Sequence, residues 1–454
     1  MSPRTARLFA VGLVLTAIAI VAVVWLRREP PPLPEDHAQV DPGATFDDPA
    51  AAVDYYRAAL RRDPDSVEIR VRLAQALLQL GTETGTQTET VPEARELLAD
   101  AIARDPEHYY ARTIQASLLN TLHRFEDARD LSRELLQEYP YHAYTHGTLI
   151  DALVELGEYD EAIRVSDKLQ GIKPGLPAYS RASYLRELHG DTDGAIAAMR
   201  LAADAAPGGR SERAWALYQL GNLYLGAAKP DTAAFIFNGI LEERPGFAPA
   251  LAGLGHVALV QGDAAGSVRQ LEEARALMPL EIIDELLVEA YTATGDDRKA
   301  DAASDRVLAA LHGAREMGEI VDMEEADFLL DRDERLDYAL AKAREQQARR
   351  PGHLHANETL AWALYKTGEA RAAVPYIERA MRLGTGDAMV HYRAGRIYQA
   401  AGQSGEAARH LQLALDGHLG VESPSAAAQA RTQLGTPVAA AERRHAPGRR
   451  GGGR

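Results

Sequence analysis

Cysteine is missing from all 454 residues. Its absence removes disulfides, thiolate zinc sites, iron–sulfur ligation and cysteine nucleophiles at once. It fits an oxidising and a reducing compartment equally, so it does not place the protein. An excess of basic charge is missing too. The formal net charge of −16 argues against nucleic acid as a ligand of the folded part, because phosphate binding needs a basic surface. The phosphate loop G-x-x-x-x-G-K-[ST], the zinc motif H-E-x-x-H and the hydrolase elbow G-x-S-x-G are all absent.

What remains of such chemistry is partial imitation. Gly253-Leu254-Gly255 begins like a dinucleotide fingerprint but lies inside a helical stretch with no strand before it. Asp191-Thr192-Asp193-Gly194 begins like a calcium loop, yet Ala202 stands where its bidentate glutamate is required. His142 and His146 have the i, i+4 spacing of a zinc pair, with His108 one period earlier. They lack the glutamate of the motif and read as surface histidines, as do His353, His355 and His391. No catalytic, cofactor-binding or metal-binding residue is nominated, no cofactor is expected, and neither is a small-molecule substrate.

What is present is a period. Prolines recur at Pro106, Pro140, Pro174, Pro207, Pro245 and Pro279, and again at Pro351 after a unit in which His312 takes the place. A repeat of about 34 residues signals a solenoid of helical hairpins, each burying its apolar face against its neighbours. In the unit Ala143 to Pro174, Leu149, Ile150 and Leu153 give the first helix an apolar face. Gly157 supplies the left-handed turn between helices. Ala162 is small where two helices approach, and Pro174 stops the second helix. Charged residues at 26% and hydrophobic ones at 46% suit a folded soluble body.

The ends read differently. Leu8 to Leu26 is 19 residues without a charge, about 28 Å as a helix and close to a ~30 Å hydrocarbon core. Arg4 and Arg7 precede it, and Trp25, Arg27 and Arg28 close it. A cleaved signal peptide would have a shorter apolar region and a small-x-small site at its end, whereas Ala17-Ile18-Ala19 lies mid-segment. Residues 1–28 are therefore expected to be a single-pass N-terminal anchor contacting the lipid bilayer through residues 8–26. The positive-inside rule leans toward repeats on the extracytoplasmic side. Residues 29–48, rich in proline and acid, are expected to be a semi-rigid spacer.

The body is expected to comprise a capping helix and seven hairpins over 49–312 and three hairpins over 313–418. A seam falls where the closing proline is lost and Asp327 replaces a small residue. Residues 419–437 are expected to hold a capping helix. Gly81 to Val91 (GTETGTQTETV) reads as an inserted loop between the helices of the first hairpin. Residues 438–454, with Arg443, Arg444, Arg449, Arg450 and Arg454, lack the apolar residues to fold. They read as a solvated tail rather than a lipid or nucleic-acid contact, since no aromatic interleaves the arginines.

The stretch Ala214-Trp215-Ala216-Leu217-Tyr218-Gln219-Leu220-Gly221-Asn222-Leu223-Tyr224, and Ala361-Trp362-Ala363-Leu364-Tyr365 followed by Gly368, Ala373 and Ala380, resemble the tetratricopeptide repeat (TPR) family. The resemblance covers about residues 50–418. It implies an all-α right-handed superhelix of about ten antiparallel hairpins, here preceded by one transmembrane helix. In that family the first helix of each hairpin lines a concave face, and ligands meet fixed places along it. Carried over place by place, the register nominates Tyr110, Asn120, Tyr144, Asp151, Tyr184, Trp215, Tyr218, Asn222, His256, Glu289, Phe328, Trp362, Tyr365, Tyr392 and Arg396. Aromatic residues on an open face suit a peptide groove. The family's carboxylate clamp needs a Lys–Asn pair in one unit. Asn222 and Arg181 match only isolated places, so a chaperone adaptor is not implied.

The resulting expectation is a non-catalytic membrane-anchored scaffold that binds a protein or peptide along its groove. The alternative is a regulatory or accessory arm of a membrane-associated enzyme complex in envelope biogenesis or glycosyl transfer. Anchored repeat proteins that govern lipopolysaccharide synthesis end in a four-cysteine metal module, which this sequence cannot form. A glycosyltransferase arm would need a catalytic domain that the 36 residues after 418 cannot supply.

Overall fold

The computed structural model describes residues 48–435 apart from residue 418, and among these every regular element is a helix. The expected membrane span at 8–26, nearly all of the spacer and the tail from 438 lie outside the described residues. No helix among the described residues is long and apolar enough to cross a membrane.

A first helix, α1 (Pro49–Arg62), precedes ten hairpins. These are α2 (Val67–Thr84) with α3 (Gln87–Arg104), α4 (Tyr109–Thr121) with α5 (Phe125–Glu138), and α6 (Ala143–Leu156) with α7 (Tyr159–Ile172). Then come α8 (Leu176–Leu188) with α9 (Thr192–Ala205), α10 (Ser211–Gly226) with α11 (Pro230–Glu243), and α12 (Ala248–Val260) with α13 (Ala264–Leu277). The last four are α14 (Glu281–Thr294) with α15 (Asp297–Met317), α16 (Asp322–Asp331) with α17 (Leu336–Arg349), α18 (Leu354–Lys366) with α19 (Ala370–Ala380), and α20 (Ala388–Ala400) with α21 (Ser404–Asp416). Two short helices, α22 (Leu419–Glu422) and α23 (Pro424–Gln433), close the stack.

The hairpins share one local cause. The fourth residue of the second helix is small and buried in unit after unit: Ala128, Ala162, Ala195, Ala233, Ser267, Ala339, Ala373 and Ala407 are all 0% exposed. A larger side chain there would hold the two helices apart. In α6 the turn is made by Gly157 at φ +76, whose N–H donates back to the last carbonyls of the helix.

The histidine pattern has a structural origin in the same rule. His108, His142 and His353 each follow a closing proline by two residues and cap the next helix. Their Nδ1 atoms accept from the Ala111, Thr145 and Ala356 amides at 3.1, 3.4 and 3.3 Å.

Two expectations fail. His146 and His353, read as surface histidines, are 1% and 6% exposed, their rings turned onto local backbone partners, the His142 carbonyl and the Ala356 amide. Gly81 to Val91 is not a loop: α2 continues through Thr84, Gly85 ends it at φ +72, and α3 begins at Gln87. Thr82 and Thr84 donate their hydroxyls to the Leu78 and Leu80 carbonyls at 3.0 and 2.7 Å, so these polar residues need no loop to satisfy them. Thr90 and Val91 are buried. The extra turns are covered by α15, which runs on to Met317 before Gly318 stops it. Met317 enters the core of the first hairpin beside Val91, Ala94 and Leu98.

That contact belongs to a larger pattern. The superhelix returns on itself after about 195 residues, a little under six repeats. Arg95 donates to the Met317 carbonyl at 3.0 Å. The Ile320 amide donates to the Leu122 carbonyl at 3.3 Å, and the His123 ring lies 3.1 Å from the Ile320 carbonyl. The Gly157 turn sits directly on the Gly352 backbone, and Gly190 on Gly384. The Leu354 amide donates to Tyr159 Oη at 3.1 Å, Arg350 pairs with Glu155 at 3.3 Å, and the Arg382 guanidinium covers the Tyr159 ring. The second superhelical turn is thus seated on the first. The two concave faces enclose an interior rather than an open crescent.

Candidate binding lumen

First helices line this interior, and it divides into two chemically distinct regions. The aromatic region is a cavity of about 1120 Å³ walled by α2, α4, α6, α10, α12 and α14, adjoined by a second of about 540 Å³. Tyr144, Tyr184 and Trp215 present side chains 48%, 45% and 41% exposed to these cavities. Tyr218 lies half-buried beside them with its ring 5.8 Å from Phe237, and Asn222 lines the smaller cavity. Beneath Tyr144, Arg181 holds Asp151 through two bonds of 2.7 and 2.6 Å. The Tyr184 phenol is pushed up by the protein walls around it and by the nearby Glu155 charge, a shift softened by the water at its exposed ring. An exposed aromatic inside a walled space offers area to a ligand without first having to break a packing contact.

The acidic region is a cavity of about 1520 Å³ bounded by α14, α16, α18, α20 and α23. Glu281, Glu285 and Glu289 lie on one face of α14 at spacing four, and none has an ion-pair or hydrogen-bond partner among the described residues. Burial pushes Glu281 up to about 8, with the charges of Glu285, Glu324 and Glu319 adding to it. Burial and then Asp327 and Asp331 push Glu285 up to about 7. Glu289, also raised to about 7 by burial first and by Asp331, has a well-exposed side chain. Its contact with water is real, but that water is confined between protein walls, so the raised direction stands and its size is softened by screening.

The facing wall is held by internal clamps. Arg393, 7% exposed, bonds Glu358 at 2.8 Å and Asp331 at 3.0 Å. Trp362 stacks on Tyr365 with centroids 4.8 Å apart and donates its indole N–H to Asp331 at 3.1 Å. Arg396 donates to the Tyr365 and Tyr392 hydroxyls at 2.8 and 2.6 Å, and Tyr392 donates to Gln429 at 2.6 Å. Asp327 is raised to about 6 by burial against the pull of His355 and Arg393. The walls around His355 lower it, but its hydrogen bond to Glu358 and the charge of Asp327 leave it raised, a direction that stands although its side chain is 54% exposed and screening softens its size.

The nominated residues therefore separate. Tyr144, Tyr184, Trp215, Tyr218 and Asn222 share the aromatic cavities, and Phe328, Trp362, Tyr365, Tyr392 and Arg396 share the acidic one. Trp362 and Tyr392, expected on an open face, are each only 6% exposed, because Asp331 and Gln429 supply partners that fasten them between hairpins. Tyr110 lies apart from these cavities, donating to Gln75 with Arg72 against its ring. Glu281 and Glu285 were not nominated. Their signal was present as glutamates four apart on a first helix, EIIDELLVEAYTAT, that contains no lysine or arginine.

Comparison with known proteins matches the first part of the array. Two tetratricopeptide repeat families match, one over residues 46–82 and 119–183 and the other over 89–143. Over those residues the repeats match tetratricopeptide repeats, and the described body is an all-α solenoid of helical hairpins. Among curated proteins, "Cellulose synthase operon protein C" of Pseudomonas fluorescens is 27% identical over 34% of this chain. "Anaphase-promoting complex subunit 7" of Arabidopsis thaliana is 28% identical over 27% of this chain. The chain spans only 12% and 22% of the lengths of those two relatives. Among solved structures, a tetratricopeptide repeat protein from Parabacteroides merdae aligns over 54% of this chain and 92% of its own, at 20% identity and a TM-score of 0.41. An anaphase-promoting complex hetero-tetramer, Cut9-Hcn1, aligns over 85% of this chain and 93% of that one, at 14% identity and a TM-score of 0.38.

Proposed function

We propose that this chain is a non-catalytic scaffold that takes an extended segment of a partner protein into the aromatic region of its lumen. The supporting observation is the set of lumen-facing aromatics, Tyr144, Tyr184 and Trp215, left 41–48% exposed in a space walled by first helices. A volume of about 1120 Å³ exceeds the ~300–1,000 Å³ usual for small-molecule sites, which suits a peptide. The acidic interior selects a neutral or basic segment. Interface energy concentrates in a few aromatic or arginine anchors, each costing about 2 kcal/mol or more on truncation. Trp215→Ala or Tyr218→Ala is therefore expected to weaken capture of the partner about thirtyfold with helicity unchanged. Normal capture by both variants would remove the lumen as the working site.

The reading includes an anchor: residues 8–26 hold the scaffold in the membrane, with the repeats on the extracytoplasmic side. The uncharged run Leu8 to Leu26 supports it. Intact-mass measurement tests it, since a mature N-terminus near Ile20 would mean a cleaved leader and a freed body. A second reading, an accessory arm of a membrane-bound polymer-synthesising complex, draws on the name of the cellulose synthase operon relative. Copurification of a glycosyltransferase with the anchored protein would favour that reading over a free-standing scaffold.

A further inference from the structure

The lumen holds two features that peptide capture in the aromatic region does not use. One is the lumenal face of α14, where Glu281, Glu285 and Glu289 stand without a partner among the described residues over a cavity of about 1520 Å³. The other is in the wall beside it, where Asp327 Oδ1 is sealed from solvent without a hydrogen bond and 3.9 Å from Arg393 Nη1, while Oδ2 accepts from Thr359 at 2.8 Å and lies 3.4 Å from His355 Nε2. The cations on that wall are already engaged: Arg393 with Glu358 and Asp331, His355 with Glu358 and Asp327, Arg396 with tyrosine hydroxyls, and Lys366 with Asp333. The cavity therefore has an unmet demand for positive charge, and it is large enough for several side chains.

The same cavity is closed on one side by α23, through Ser425, Ala426 and Gln429. The chain that continues from α23, residues 436–454, carries five arginines against one glutamate. We propose that this arginine-rich segment docks in cis into the acidic cavity, its guanidinium groups opposite the Glu281, Glu285 and Glu289 face, as a built-in occupant of that end of the lumen.

Reach and charge both support this. Arg443 lies eight residues beyond Gly435, and an extended chain covers up to about 26–29 Å over that length. A space of 1520 Å³ would be only about 14 Å across as a sphere, and Gln429 on its wall precedes Gly435 by less than two helical turns. Arginine suits the task, since its fork meets carboxylates bidentately and lies flat on aromatic rings such as the Trp362–Tyr365 stack in the same wall. Docking leaves the aromatic region free for a partner and fills the end of the lumen where an external basic segment would otherwise compete.

The absence of cysteine makes the test clean, because two introduced cysteines are then the only labelling sites. In the full-length chain, spin labels go on Ala293→Cys, one turn beyond Glu289 on the cavity wall, and on Ala446→Cys in the basic segment. At low salt, dipolar spectroscopy is expected to show a narrow distance population below about 25 Å. Changing Glu281, Glu285 and Glu289 together to Gln should reduce that population at least about fivefold with helicity retained. Changing Arg443, Arg444, Arg449 and Arg450 to Gln should do the same, as should about 1 M salt, where the screening length is about 3 Å. A broad distribution in the parent overturns the proposal, and so does a narrow one that survives both sets of changes. Loss of the short distance on dilution with unlabelled protein also overturns it, since the segment would then be entering a second copy. No partner takes part in the measurement, so its outcome is independent of whether the aromatic region captures one.

Discussion

Alanine in place of Gly157 puts a methyl group where one superhelical turn touches the next. Two costs arise, and a second glycine separates them. Gly157 sits at φ +76, in the left-handed region, and Gly295 does the same job at the end of α14 with φ +75. A Cβ on Gly295 meets open space, whereas one on Gly157 would fall well inside 3.0 Å of the Gly352 carbonyl and the His353 amide. Those atoms are backbone and cannot swing aside. At Gly295 the substitution therefore carries only the backbone cost, about 1 kcal/mol, partly offset by the stiffer unfolded chain. At Gly157 overpacking adds about 1–3 kcal/mol.

Because a long repeat array need not unfold in one step, the readout should be local to the contact. The Leu354 amide is such a place: it donates to Tyr159 Oη across the same junction, 195 residues away in sequence. Hydrogen exchange of a peptide spanning 352–356 should speed up about 5- to 150-fold in Gly157→Ala relative to Gly295→Ala, taking 1.4 kcal/mol per tenfold. Small-angle scattering should show a larger radius of gyration for Gly157→Ala alone. Equal exchange in the two variants would mean that the turns do not bear on each other and that the interior is an open groove.

Two further outcomes test the packing and the charge. Ala162→Leu and Ala233→Leu, at positions 0% exposed, should each cost about 1–3 kcal/mol. Thr86→Ser, at a helix start without a side-chain cap bond, should stay within about 0.5 kcal/mol, and equal losses of melting temperature at all three sites would show the register to be wrong. Glu281, Glu285 and Glu289 hold protons in the folded state up to about pH 8, 7 and 7 against an ordinary 4.5. The folded chain then binds more protons than the unfolded one, so their contribution is intact below about pH 4.5 and is lost as pH rises toward 8. His353 and His410, held below the usual imidazole value by burial, act in the opposite sense at lower pH. The comparison is therefore Glu285→Gln minus parent across pH 4–8, both chains ending at Gly435 so that no arginine-rich segment can neutralise the carboxylate, and the variant should gain on the order of 1 kcal/mol at the alkaline end after solvent screening. No gain would mean that the carboxylate is already neutralised in the parent.

The hairpins were legible because their determinants are local. A proline every 34 residues, a left-handed glycine between helices and a small residue at the fourth place of each second helix act within one unit or its nearest neighbour. Closure of the superhelix was not legible, because it rests on pairs such as Gly157 with Gly352 and Tyr159 with Leu354. Nothing in either member of a pair points to the other. Gly157 reads fully as a helix terminator, and its second duty leaves no further mark. The Thr-rich insertion misled for a related reason: its composition is that of a loop, but hydroxyl bonds back to the helix and a cover supplied by α15 make helix the better state. The register places aromatics on first helices without saying which stay free. Trp362 and Trp215 occupy equivalent places, yet one finds Asp331 and a stacking tyrosine while the other finds space.

The α14 carboxylates mark where local stability and use part company. Like charges four apart on a helix cost a few tenths of a kcal/mol per pair in water, and a confined cavity raises that cost. A lysine at position 285 would relieve both neighbours, and the outer helices take that kind of relief freely, as Arg104 with Asp100 and Arg133 with Glu161 show. On the lumenal face of α14 the relief is withheld at three successive places. Sequences depart from local consistency chiefly where something outside the local structure compensates. For a row of carboxylates facing a shared cavity, the compensation we propose is the positive charge of the arginine-rich segment. On the proposed reading the two regions of the lumen divide the work, with the aromatic part offering area to a partner segment and the acidic part offering charge to the arginine-rich segment.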